Sequence, residues 1–205
     1  MISHKHKCIF IHIGRTGGTT IERWLQGEDQ WNILHNFKHL TTGYAKDRAY
    51  PEYWNDYFKF TFVRNPYEQV LSSMIVAGMS RYRHMGLNVD TPEESLLRFS
   101  SMDYYDLYCQ GGPFINDYYE DLIPNCVYKN ILRHGVDKVY RYEEYQDSVA
   151  DIASTLGITK PENLQKHGET PEGLRLTQDK MKPKDYQMIN EIYGSDFEEY
   201  GYERL

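Results

Sequence analysis

Two short apolar runs, Cys8-Ile9-Phe10-Ile11-His12-Ile13 and Phe58-Lys59-Phe60-Thr61-Phe62-Val63, are each followed by a turn and then by apolar residues at helical spacing. The first predicts a buried strand, because it is short, apolar and rich in β-branched residues. It ends in the glycine-bearing turn Gly14 to Gly18, after which Ile21, Trp24 and Leu25 fall on one helical face behind Thr19 and Thr20. The second strand is interrupted by Arg64-Asn65-Pro66, and Val70, Leu71, Met74 and Ile75 then predict a helix over Tyr67 to Ala77 with proline in its first turn. Further along, Val136 to Tyr142 reads as a strand. Glu143 to Leu156 reads as a helix stopped by Gly157, and Pro183 to about Tyr193 as a last helix stopped by Gly194.

Weaker patterns lie between these units. Trp31 to Leu34 predicts a short strand, followed by a polar loop with His35, Lys38 and His39 and a helical stretch from Thr42 to about Arg48. Met79 to Asn88 reads as a basic loop carrying Arg81, Arg83 and His84, and Thr91-Pro92-Glu93-Glu94 caps a helix to about Ser101. Asp103 to Tyr119 is aromatic and glycine-rich, and shows no period. Strands alternating with helices over short connections imply an α/β fold of three layers, with a mostly parallel central sheet and helices on both faces. The whole chain, 1–205, reads as a single domain. In such sheets ligands bind beyond the carboxyl ends of the strands, where both turns lie.

Composition narrows the partners. The 23 Lys and Arg against 30 Asp and Glu leave a formal charge of −7, so the bulk surface repels nucleic acid and anionic lipid. Any anionic ligand needs a local basic site. Three cysteines without paired spacing argue against a disulfide framework and a cysteine zinc site. No apolar run is long enough to span a bilayer, and Met1 to Lys7 is a polar, frayed lead-in rather than a signal peptide, so a cytoplasmic protein is expected. His4, His6, Cys8 and His12 share a face by strand alternation, yet next to a frayed end they read as no metal site. The 19 tyrosines, dense around Tyr104, Tyr105, Tyr108, Tyr118 and Tyr119, serve packing or line an acceptor site.

The chemistry lies in the two turns. Gly14-Arg15-Thr16-Gly17-Gly18-Thr19-Thr20 is a P-loop-like phosphate-binding loop: glycines let the backbone wrap an oxyanion, and the following helix adds the positive end of its dipole. It lacks the Gly-Lys-Ser/Thr of a Walker A motif, which removes the main support for Mg-ATP hydrolysis. Arg15 beside the turn adds positive charge for an anion. In the second turn, Arg64 at a strand end and Ser72 two helical turns on are suited to a second phosphate.

These residues resemble the sulfotransferases that use 3′-phosphoadenosine 5′-phosphosulfate (PAPS), in particular the carbohydrate-type group related to the heparan-sulfate enzymes. That family opens on a strand and a Pro-Lys-Thr-Gly-Gly-Thr-Ser loop, matched here by Ile11 to Thr20. Its second signature, Arg-Asp/Asn-Pro with a serine eight residues after the arginine, is matched by Arg64-Asn65-Pro66 and Ser72. Tyr57 to Phe60, Arg141-Tyr142-Glu143, Leu156-Gly157, Tyr193 to Asp196 and Tyr200-Gly201-Tyr202 extend the likeness over most of the chain. The resemblance implies that Arg15, Thr16, Gly17, Gly18, Thr19 and Thr20 hold the 5′-phosphosulfate of PAPS, and that Arg64 and Ser72 hold its 3′-phosphate. It also implies His39 as the base, with His35 and Glu22 as alternatives, a hydroxyl acceptor that is a small molecule or carbohydrate, and no metal. Two departures stand out: Gly14-Arg15 replaces Pro-Lys, and Gln69 replaces a common arginine. A nucleotide kinase-like phosphotransferase and a non-catalytic nucleotide-binding module are the rival readings.

Overall fold

The computed structural model describes residues 1–27, 39–73, 127–164, 167 and 177–205. Its sheet has the order β1 (Ile2–Ser3), β2 (Cys8–Ile11), β3 (Phe58–Val63), β4 (Lys138–Arg141). β2, β3 and β4 are parallel neighbours, and β1 adds an antiparallel edge. The register Cys8↔Phe58 to Ile11↔Thr61 brings the ends of β2 and β3 side by side.

Strand alternation divides the core in two. Cys8, Phe10, Phe60 and Phe62 point to one face, where they meet Ile21 and Leu25 of α1 (Gly18–Leu25) and Val149 and Ile152 of α5 (Tyr145–Leu156). Ile9, Ile11 and Val63 point to the other, against Tyr67 and Val70 of the helical residues 66–73 (α3) and Tyr128 of α4 (Tyr128–Ile131). The same face takes Ile189 of α6 (Pro183–Ile192) and Phe197 of α7 (Gly194–Glu199). A sheet buried on both sides explains why β2 and β3 read as continuous apolar runs. It also gives the three layers expected of the α/β fold.

Several elements follow the sequence closely. The stretch from Thr42 is helical as α2 (Thr42–Tyr44) and continues as a π turn over Ala45–Ala49. Gly157 ends α5 at φ 64°, a left-handed conformation that suits glycine. Three expectations need correction. Met1 to Lys7 is not frayed: Ile2–Ser3 pairs with β2, Met1 is buried, and the Phe10 N–H donates to the Met1 carbonyl at 2.8 Å. The strand around 136–142 is ladder only over Lys138–Arg141, because Tyr142–Glu144 turns into a short 3₁₀ segment leading to α5. Gly194 does not stop a helix but opens α7; Tyr193 bends the chain, and burial of Tyr193 and Phe197 outweighs the poor helix propensity of Gly194-Ser195. The strand predicted at Trp31 to Leu34, the basic loop from Met79, the helix to about Ser101 and the stretch Asp103 to Tyr119 lie outside the described residues. No helix among the described residues is long and apolar enough to cross a membrane.

One buried carboxylate ties the last helix to this frame. Asp196 accepts the N–H groups of Tyr128 at 2.7 Å and Lys129 at 3.1 Å, capping α4. Burial disfavours its charge more than these two donors favour it, so its pKa is pushed up to about 7. A folded-state pKa above the ordinary carboxylate value means the folded chain binds more protons than the unfolded one in between. Relative to Asp196→Asn, the wild-type protein is therefore expected to lose stability as pH rises from about 4 to about 7. Melting temperatures of the two proteins across that range test this, and a constant difference between them would refute it.

Candidate functional site

The first turn leaves β2 at its carboxyl end and enters α1. Two residues take left-handed conformations there, Arg15 at φ 65° and Gly17 at φ 79°. For Arg15 this is an uncommon backbone state that the surroundings must enforce. They do so through the carbonyls. Thr16 Oγ1 donates to the Ile13 oxygen at 2.8 Å, Gln69 Nε2 to that of Gly14 at 3.1 Å, Arg64 Nη1 to that of Arg15 at 3.3 Å, and the Tyr145 hydroxyl to that of Gly17 at 3.0 Å. The carbonyls of residues 13, 14, 15 and 17 are thus turned to protein donors. What the turn offers an anion is its amide edge and the N-terminus of α1.

The second turn meets the first. Arg15 Nε donates to Ser72 Oγ at 2.8 Å, so the arginine named in the first turn and the serine named in the second are in contact. Arg64 lies over the Tyr142 ring, its guanidinium carbon 4.7 Å from the centroid, and pairs with Glu68 at 3.3 Å. Its side chain remains about one-fifth exposed, against more than one-third for Glu68, so the pair is a weak one open to solvent. Thr16 is fully buried with its hydroxyl committed to the backbone, which makes its side chain a staple of the turn. Thr20 is buried as well, its hydroxyl oxygen accepting from the His167 N–H at 2.9 Å.

His39 stands at the same strand end. Its Nδ1 lies 2.8 Å from the His12 carbonyl, which only accepts, so Nδ1 carries the proton and Nε2 is the basic nitrogen of the neutral ring. The two imidazoles meet edge to face with centroids 4.7 Å apart. His12 in turn contacts Glu22 of α1, Nδ1 to Oε1 at 2.8 Å, and both side chains are almost completely buried. Glu22, an alternative base from the sequence, is thus committed to His12. His35, the other alternative, lies outside the described residues.

The histidine face read from strand alternation is dispersed. His4 packs on Tyr53 and Tyr57, Cys8 sits in the core, and His12 pairs with Glu22. Among the described residues no group of three His, Cys, Asp or Glu side chains gathers as a metal site. Sequence reading missed His12 as a partner of Glu22 and His39, and Tyr145 as an anchor of Gly17. The signal for His12 was its position two residues ahead of Gly14, at the strand end where ligands gather. Gln69, noted as a departure, is nine-tenths buried; its Nε2 holds Gly14, and its Oε1 has no hydrogen-bond partner among the described residues.

A three-layer α/β sheet with a glycine turn and a basic turn at adjacent strand ends defines a protein suited to an anionic ligand. The chain belongs to the sulfotransferase family, whose family model matches residues 1–203. Sulfuryl transfer is the chemistry of that family. The chain finds no match among curated proteins or among solved structures.

The packing of the first turn carries a direct consequence. A Cβ at Gly18 would lie 2.3 Å from Cδ2 and 2.4 Å from Nε2 of His12, whose ring is fixed by Glu22. Glycine to alanine in a helix ordinarily stabilises by roughly 0.5–1 kcal/mol. Here overpacking outweighs that gain, and Gly18→Ala is expected to destabilise the fold by about 1–3 kcal/mol in chemical denaturation. An unchanged or raised midpoint would contradict the packing described.

Proposed function

We propose that this chain moves the sulfuryl group from PAPS to a hydroxyl, a carbohydrate hydroxyl being favoured by the resemblance, by in-line displacement and without a metal. The observation that carries the reading is the contact between the two turns, Arg15 Nε on Ser72 Oγ and Arg64 Nη1 on the Arg15 carbonyl. It supports one anion-binding region assembled from both motifs, as a donor with phosphates at two positions requires. The family match over nearly the whole chain further supports a single domain.

In this reading the amide edge of 15–20 and the N-terminus of α1 hold the 5′-phosphosulfate, while Arg64 and Ser72 hold the 3′-phosphate. The acceptor oxygen attacks sulfur opposite the bridging oxygen. As the new S–O bond forms, the old one breaks and its electron pair leaves on the 5′-phosphate. Arg15 stabilises that growing charge. Arginine is a poor proton donor, because its guanidinium stays protonated throughout the working pH range, but the phosphate product leaves as an anion and needs no proton. The hydroxyl proton passes to His39 Nε2, the nitrogen that the His12 carbonyl keeps basic.

The first test is thermal stability with saturating 3′-phosphoadenosine 5′-phosphate (PAP), against ATP with Mg and against AMP. At one hundred times the dissociation constant, binding adds about 2.7 kcal/mol, a rise of roughly 5 to 11 °C at this size. The expected result is a rise selective for PAP that Arg64→Ala abolishes. A larger rise with ATP and Mg would favour a phosphotransferase instead. Once an acceptor is in hand, His39→Ala is expected to lower kcat by about 10²–10⁴-fold while the PAP shift persists. Full turnover by that variant would exclude His39 as the base.

A further inference from the structure

Arg64 lies one residue past the last rung of β3, beyond the pair Val63↔Arg141. A side chain takes over where the ladder ends. The Arg64 N–H donates to the Tyr128 hydroxyl at 3.2 Å, and the same hydroxyl donates to the Arg64 carbonyl at 2.7 Å. One phenol, as acceptor and donor at once, thus does for this residue what a neighbouring strand would do. The Tyr128 ring is wholly buried, and its own N–H is held by Asp196 at 2.7 Å. On the far side of the turn, Asn65 donates its N–H to Glu143 Oε1 at 2.8 Å, and Tyr202 fixes the other carboxylate oxygen at 2.9 Å. The backbone of Arg64-Asn65 is therefore gripped from two directions by side chains that the sequence places 64 and 78 positions further on.

We propose that Tyr128, with Glu143 opposite it, is a positioning residue that aims the Arg64 guanidinium at the 3′-phosphate of a nucleotide. This rests on the reading of Arg64 as the 3′-phosphate ligand. A guanidinium meets phosphate through paired, directional hydrogen bonds, so a small displacement of its Cα is felt in affinity. The ring of phenylalanine fills the same space as that of tyrosine, and Tyr128→Phe removes only the hydroxyl that holds Arg64.

A merely structural hydroxyl would act on every ligand and every background alike, and a double-mutant cycle separates the two cases. PAP affinity is measured for the wild-type chain, Tyr128→Phe, Arg64→Ala and the double variant. Tyr128→Phe is expected to weaken PAP about tenfold on its own, and to add less than about twofold once Arg64 is alanine. Equal losses on both backgrounds, or no loss in the single variant, would overturn the proposal. Should Tyr128→Phe fail to fold, the same cycle is run with Glu143→Ala and judged by the same non-additivity. A wild-type chain without preference for PAP over AMP defeats the underlying reading of Arg64, and is recognised before any variant is compared.

Discussion

Parallel pairing of β2 with β3 is the constraint on which the site depends. Cys8↔Phe58 through Ile11↔Thr61 places His12 and Ile13 beside Phe62 and Val63, so that Gly14-Arg15 and Arg64-Asn65 leave the sheet at one end. Antiparallel pairing would send these turns to opposite ends. The register is in turn imposed by burial: Phe10, Phe60 and Phe62 must share one face while Ile9, Ile11 and Val63 share the other. A slip of one residue would exchange the faces of a whole strand. Even the polar Thr61 strengthens the pairing, donating its hydroxyl to the Ile11 carbonyl at 2.7 Å.

A chain with a formal charge of −7 cannot attract a multiply charged anion through its overall field. Binding one as proposed would need a short-range solution, and the two turns are arranged to supply one in two parts. The first is removal of repulsion, since the carbonyls of residues 13, 14, 15 and 17 are taken by donors from four different side chains. The second is attraction from Arg15, Arg64 and the N-terminus of α1. Orientation matters more than charge count here, because a carbonyl turned inward would offset much of a guanidinium at the same distance. Gln69 illustrates the point. A third guanidinium there would add charge, whereas the amide spends its donor on the Gly14 carbonyl and holds the turn in shape.

Local pattern made much of this frame legible. β3 spans the run Phe58–Val63 as read, the glycine turn precedes α1, and Gly157 ends α5. Arg15, Arg64 and Ser72 were named from two motifs and are in contact through one network. What local pattern did not carry were the long-range contacts. The edge strand Ile2–Ser3 is too short to show a period and exists because β2 offers it backbone partners and the core covers Met1. Helix α7 opens on Gly194-Ser195, which no propensity favours, and is held by burial of Phe197. The His12–Glu22 pair joins a strand end to a helix, and neither residue has a sequence feature that names the other.

The same distinction separates the residues of the two motifs from those that hold them. Motif residues come from two turns, each a short contiguous run, whereas their supports come from α3, α4, the segment Tyr142–Glu144 and α5. Tyr128, Glu143 and Tyr145 belong to no phosphate motif, yet each bonds the backbone of one. A tyrosine hydroxyl suits this role because it reaches from a buried ring to the backbone without bringing a charge into the site. Glu143 does bring a charge, but its two oxygens are taken by Asn65 N–H and the Tyr202 hydroxyl, and Arg141 lies over the Tyr202 ring at 4.3 Å. A carboxylate so occupied can stand one residue from Arg64 without becoming its principal partner. The guanidinium is left to the Arg15 carbonyl, to Tyr142 and to a Glu68 more than one-third exposed. An ion pair open to water is weak and exchangeable, so in the proposed role Arg64 would give up this partner for a phosphate more readily than it would a buried one.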